Sequence, residues 1–197
     1  MKKLLSLCFI LILQACSTTR KVSIDFVRQD TVALENYLQE AKVDFDEKDL
    51  AVLNNVNAFA VFNDKERISV PEAYFFNKEG KRVKDNFKGT SCGQVISNPE
   101  KISKAPASGE EHLNDWLKYI SLYKAGSDNL INDGYDAYVI IPWAIFMTSV
   151  SKDINQTSFN WYRSLKNHKN IKVILLNLDV QQGWELSNEQ KSALGIK

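Results

Sequence analysis

An α/β domain, a central sheet flanked by helices, is the fold class this sequence predicts, and three observations predict it. From residue 136 onward the pattern runs strand, helix, strand, helix, the order that produces a parallel strand pair covered by helices. Two runs, Ala137-Tyr138-Val139-Ile140-Ile141 and Ile171 to Leu178, are apolar almost without interruption, as strands buried on both faces must be. Glu72-Ala73-Tyr74-Phe75-Phe76, then the polar Asn77-Lys78-Glu79-Gly80, then Lys81-Arg82-Val83-Lys84 form a hairpin: an aromatic strand, a loop closing in glycine, a resumed strand.

The remaining elements follow from spacing. Leu34, Tyr37, Leu38 and Ala41 fall at i, i+3, i+4 and i+7, which predicts a helix from Thr31 to about Lys42. Ala58-Phe59-Ala60-Val61-Phe62 has the length of a strand, and Asn63 to Glu66 reads as a turn. Residues 89–109, rich in Gly, Ser, Pro and Lys, read as a surface loop. Ser108 with Glu111 has capping-box spacing and opens a helix over 110–124, with Leu113, Trp116, Leu117 and Ile120 on one stripe. Ile154, Ser158, Trp161, Tyr162 and Leu165 make another helix, with Asp153 favourably near its positive end. Ser187 and Gln190 start a last helix that ends at Gly195.

The N-terminus has its own pattern. Met1-Lys2-Lys3 is a basic cap, Leu4 to Leu13 a ten-residue run broken only by Ser6, and Gln14-Ala15-Cys16 ends it with a small residue before cysteine. That is a secretory signal, too short for a bilayer span, which needs about 20 apolar residues. Leu13-Gln14-Ala15-Cys16 resembles the lipobox of bacterial lipoproteins. The resemblance implies cleavage after Ala15, acylation of Cys16 and, with Ser17 rather than aspartate next, residence on the periplasmic face of the outer membrane. The expected organisation is a signal at 1–15, a lipidated tether at 16–27 and one domain at 28–197.

The signal carries two of the 25 basic residues and none of the 24 acidic ones, so the mature chain is near −1. Such a balance points to neither nucleic acid nor an anionic membrane surface. Cys8 leaves with the signal and Cys16 is taken by lipid, so Cys92 is the one remaining thiol. An intramolecular disulfide, a Cys-x-x-Cys pair and a cysteine-rich metal site are thereby excluded. Gly-rich phosphate loops, Gly-x-Ser-x-Gly elbows and His-Glu-x-x-His motifs do not occur. His112 and His168 sit among polar neighbours as solvated side chains, with no zinc-ligand spacing. No cofactor is expected beyond the covalent lipid at Cys16.

Val139-Ile140-Ile141-Pro142-Trp143-Ala144-Ile145-Phe146-Met147-Thr148-Ser149-Val150 resembles the active-site strand and loop of the thioredoxin family. Trp143 and Ala144 match that family's Trp-Ala, Phe146 stands for its second tryptophan, and Met147 and Val150 stand at its two cysteine positions. Asn170 to Val180 resembles the next strand, including the closing aspartate, Asp179. Ser192-Ala193-Leu194-Gly195-Ile196 resembles the turn that in the family leads into a proline hairpin. The matching hairpin, Ile68 to Val83 with Val70-Pro71, comes earlier in this sequence. The resemblance implies a thioredoxin-like three-layer sandwich in circularly permuted order, with Pro71 cis and shaping a peptide groove.

Disulfide exchange needs a thiolate and a resolving thiol, and Met147 and Val150 supply neither. The expectation is a non-catalytic domain that binds an envelope protein or peptide through Val70, Pro71, Trp143, Phe146, Met147 and Val150. Two alternatives stay open: a thiol-dependent oxidoreductase or peroxidase-like enzyme using Cys92, flanked by Ser91 and Gly93, and a structural subunit of an envelope complex. Trp184, in a polar loop, either contacts a partner or folds back on the core. Mass spectrometry of the exported protein is expected to find acyl chains on Cys16 as the first residue; an unacylated mature polypeptide would overturn the lipoprotein reading.

Overall fold

The computed structural model describes residues 26–83, 100–124 and 134–196. Cys16 and Cys92 lie outside them. Within the described residues helix α1 (Thr31–Glu40) precedes strand β1 (Leu50–Leu53), helix α2 (Val56–Asp64) and the hairpin β2 (Tyr74–Asn77) and β3 (Lys81–Val83). Helix α3 (Glu100–Lys104), strand β4 (Ala107–His112), helix α4 (Leu113–Leu117) and strand β5 (Ile120–Leu122) follow. The last stretch is β6 (Ala137–Trp143), helix α5 (Ile154–Leu165), β7 (Ile171–Asn177) and helix α6 (Asn188–Ala193). No helix among the described residues is long and apolar enough to cross a membrane.

All seven strands join one mixed sheet in the order β4-β3-β2-β6-β7-β1-β5. β6 and β7 run parallel over seven registered pairs, from Ala137↔Ile171 to Trp143↔Asn177. β1 adds in parallel beside β7, whereas β2 is antiparallel to β6, β3 to β2, β4 to β3 and β5 to β1. Every residue of β6 and β7 is buried, so alternate side chains serve opposite cores. Val139, Ile141, Val173 and Leu175 meet Leu34 and Leu38 of α1 and Phe159, Tyr162 and Leu165 of α5. Ile140, Ile174 and Leu176 meet Ala58 and Phe62 of α2 and Leu113 and Trp116 of α4. Helices thus cover both faces, in three layers.

Several expectations are corrected. Ala58 to Phe62 is helical, not a strand: the Asn55 side chain accepts the Ala58 N–H at 2.9 Å and caps α2, which buries Ala58 and Phe62 one turn apart. The expected helix over 110–124 is a strand, a short helix and a strand. Ser108 and Glu111 form no capping box, because residues 107–112 pair with β3 and Glu111 is drawn elsewhere by cations. His112 caps α4 instead of being a free surface side chain: its Nδ1 accepts the Asn114 N–H at 3.1 Å while its Nε2 donates to Glu79 O at 2.7 Å. The ring lies so close to Gly80, at φ +74°, that a Cβ there would come within 2.7 Å of it. The expected loop at 89–109 holds α3 and the start of β4 in its described part.

A buried ion pair fastens β7 to the turn before β1. Lys172 Nζ lies 2.6 Å from Asp49 Oδ1 and 2.8 Å from Lys48 O, and the Tyr162 hydroxyl donates to Asp49 Oδ2 at 3.1 Å. Removing one charge strands the other in the core, so Asp49→Asn is expected to lower stability by about 3–5 kcal/mol. Replacing both partners at once, Asp49→Leu with Lys172→Met, is expected to restore most of that loss in urea unfolding, since no buried charge is then left alone.

Candidate functional site

In parallel α/β sheets the carboxyl ends of adjacent strands make the natural crevice, because the connections leave there for the covering helices. Here that end is β6 running into Ala144–Val150 and β7 running into Leu178–Gln182. The first loop is held by polar brackets from two directions. From α5, Asn155 accepts the Ala144 N–H at 3.2 Å, donates to Ala144 O at 2.8 Å and donates to the Tyr37 hydroxyl at 2.9 Å. From beyond β7, the Asp179 carboxylate accepts the N–H groups of Ile145 at 2.8 Å and Phe146 at 3.0 Å. Asn177 steadies Asp179 in turn, donating from its amide at 2.6 Å and accepting the Asp179 N–H at 3.0 Å.

Beyond the brackets the chain makes a 3-10 turn, Phe146–Ser149. Its hydroxyls turn inward: Thr148 Oγ1 donates to Ile145 O and Ser149 Oγ to Phe146 O, each at 2.7 Å. Phe146 and Met147 pack on the core shared with α2 and α4, and Val150 stands 45% exposed. What this turn offers a ligand is apolar surface and backbone, since both Asp179 oxygens and both hydroxyls are already engaged.

The second wall is the turn into β2. The β2–β6 register starts at Tyr74↔Ile140, so the Val70–Pro71 turn enters β2 at the end of the sheet where β6 runs out toward Trp143. The Val70–Pro71 peptide is cis. Val70 packs on the same core as Met147, and Pro71 is exposed. Three residues upstream, Arg67 is 2% exposed, with its guanidinium 4.4 Å from the Trp116 ring centroid. Glu111 gathers Arg67, Arg82 and Trp116 Nε1 onto one carboxylate. Burial works to raise the Glu111 pKa, but the hydrogen bonds from Arg82 and Arg67 outweigh it and hold the group below the ordinary carboxylate range. This cluster fixes the segment that leads to Pro71. A cavity of about 550 Å³ lies alongside, between Glu72, Tyr74, Arg82 and Glu111.

The six residues expected to bind are thus placed unequally. Val70, Pro71, Met147 and Val150 reach the surface of one end of the sheet. Trp143 does not: it is 1% exposed, stacked on Tyr37 at 5.7 Å in the opposite core, and supports the loop from beneath. Phe146 is buried because a residue assigned to the tether covers it. The Phe26 ring lies 4.7 Å from Phe146 and 5.9 Å from Phe59, centroid to centroid. Phe26 and Phe59 were not legible as site residues, although a phenylalanine following a polar, basic stretch is the signal that could have found the first. Trp184 folds back on the core, 6% exposed. His168 is exposed and borders a separate cavity of about 380 Å³ with Lys166 and Lys169. Cys92 lies outside the described residues.

No protein-family model, no curated protein and no solved structure matches this chain.

Burial is the largest influence on Asp179 and raises its pKa, against the opposing hydrogen bonds from Ile145, Asn177 and Phe146. The folded chain therefore keeps this proton at pH values where the unfolded chain has lost it. Stability from this group falls as pH rises from the ordinary 3.8 toward the folded value, and is level above it. Asp179→Asn is expected to abolish that slope and, because an amide has one acceptor oxygen rather than two, to leave a buried N–H unpaired at a cost of about 1–3 kcal/mol near neutrality. Urea unfolding of both proteins from about pH 4 to about pH 8 measures the two effects.

Proposed function

We propose that this domain is thioredoxin-like in circularly permuted order, and that it acts as a non-catalytic peptide- or protein-binding module held by lipid at Cys16 on the periplasmic face of the outer membrane. The observation that carries the reading is the run β3-β2-β6-β7 within the sheet, with β2 reversed against the parallel pair β6–β7. That is the strand order and direction of the family whose active-site strand β6 resembles. The hairpin β2–β3 precedes β6 in the chain instead of following β7, as permutation requires.

In that family the loop after β6 and the proline turn before β2 flank the groove where partner chains lie extended. In the proposed reading both walls are kept, and Met147 and Val150 stand where the family has its thiols. Backbone pairing along an exposed extended edge supplies affinity without chemistry. The anchor rests on Leu13-Gln14-Ala15-Cys16 and on the signal before it.

Immobilised random decapeptides test the reading with the mature protein as analyte. Wild type is expected to be retained, and Met147→Lys with Val150→Lys to reduce retention by at least about tenfold, equivalent to about 1.4 kcal/mol. Cys92→Ser is expected to change nothing. Disulfide turnover by the wild type that disappears in Cys92→Ser would instead establish the thiol-enzyme alternative.

A further inference from the structure

At the same end of the sheet the chain's own residues 26–29 lie on the side of β7 and cover Phe146 of the loop after β6. This segment is extended and joins the sheet end by a parallel bridge, Gln29 to Gln181, in which Gln29 N–H donates to Val180 O and Gln182 N–H to Gln29 O, each at 2.7 Å. Side chains alternate along an extended chain, so residues 26 and 28 face the same way. Phe26 enters the slot between Phe59 and Phe146. Arg28 Nη2 donates to Trp184 O at 2.7 Å and to Gln182 O. Val27 points outward and is 61% exposed.

Two features mark this segment as a replaceable ligand. Its hold is local: one bridge, one ring and one guanidinium, with the Arg28 Nε buried and unpaired. Its residue Val27 is, with Val32 and Val150, one of the three exposed large apolar side chains among the described residues.

Building on the proposed peptide-binding reading, we infer that the Phe59–Phe146 slot and the Gln182 and Trp184 carbonyls form a subsite for an extended peptide carrying an aromatic residue and, two positions later, an arginine or lysine. Residues 26–29 hold this subsite until such a peptide displaces them. The ring fills the slot, the cation meets the two carbonyls, and the backbone between them pairs with residues 180–182.

The probe is acetyl-Phe-Val-Arg-Gln-Asp-amide, the chain's own residues 26–30 supplied from outside. The mature protein with Phe26→Ala and Arg28→Ala, its fold checked by thermal unfolding, is expected to bind the probe at least about tenfold more tightly than wild type. A probe with alanine in place of phenylalanine is expected not to bind. Equal binding by variant and wild type, or none to either, overturns the inference; decapeptide retention that depends on Met147 and Val150 can survive that result, so the two readings fail separately. Hydrogen exchange on the wild type is a second test, one that needs no variant. The Gln29 and Gln182 amides are expected to exchange by a local opening, faster than those of Val173 and Leu175. Protection equal to those core amides would make residues 26–29 a fixed strand and end the proposal.

Discussion

Two strands that reach water on neither face impose the rest of this architecture. β6 and β7 are each seven residues long, paired in register throughout and buried at every position. A parallel pair of that kind needs apolar cover above and below, and it needs a long return path between its strands. Helix α5 supplies the return and half the cover, α1 completes that layer, and α2 with α4 builds the other. β2 and β1 then take the open edges of the pair. Polar side chains are consequently driven to its two ends. At the amino end of β7 they become the Asp49–Lys172 pair, and at the carboxyl end the Asn177–Asp179 arrangement.

At the carboxyl end a largely apolar loop is braced through its backbone. A loop carrying Phe146, Met147 and Val150 gains little definition from contacts with water. Its backbone is instead tied at Ala144, Ile145 and Phe146 by side chains that are themselves buried. Asp179 has no cation beside it among the described residues and instead accepts oriented N–H donors, and burial also pushes up the pKa of the Tyr37 hydroxyl, against the hydrogen bond from Asn155. The polar chemistry of this end therefore works inward, on geometry, and leaves the outward face to apolar groups and free backbone.

How much of this was legible follows from where each element gets its stability. β6, β7, α5 and α6 carry their own signals: continuous apolar runs, a clean 3.6-residue stripe, and the Ser187–Gln190 capping box, which forms. β4, with the sequence Ala-Ser-Gly-Glu-Glu-His, has no apolar alternation to read. It is a strand because Glu111 meets Arg67 and Arg82 across the fold, partners at sequence distances that no local pattern reports. α2 deceived for the opposite reason: five consecutive apolar residues fit a strand as well as a helix, and the cap at Asn55 decides between them. β1 is only four residues long, behind an acidic turn, and its place depends on β7 and β5 lying on either side. At the candidate site the loop and the proline turn were visible as motifs. The ring that covers the loop was not, because Phe26 gains its partners only after the sheet has assembled.

The position of that ring also bears on how the proposed lipid anchor and the proposed peptide site would share one chain. Nine residues separate Cys16 from Phe26. With Cys16 acylated as proposed, the ten steps of chain from it to Phe26, at about 3.3–3.6 Å each, would keep the site within roughly 36 Å of the bilayer. A partner that takes the place of residues 26–29 frees four more residues and extends this reach by roughly 13 Å. In that reading the anchor is continuous with residues 26–29, so a force drawing the domain from the membrane would reach the Gln29–Gln181 bridge before it reached the sheet. Under that proposal, tension on the anchor and occupation of the slot by a partner would favour the same released state, and each would lower what the other must supply.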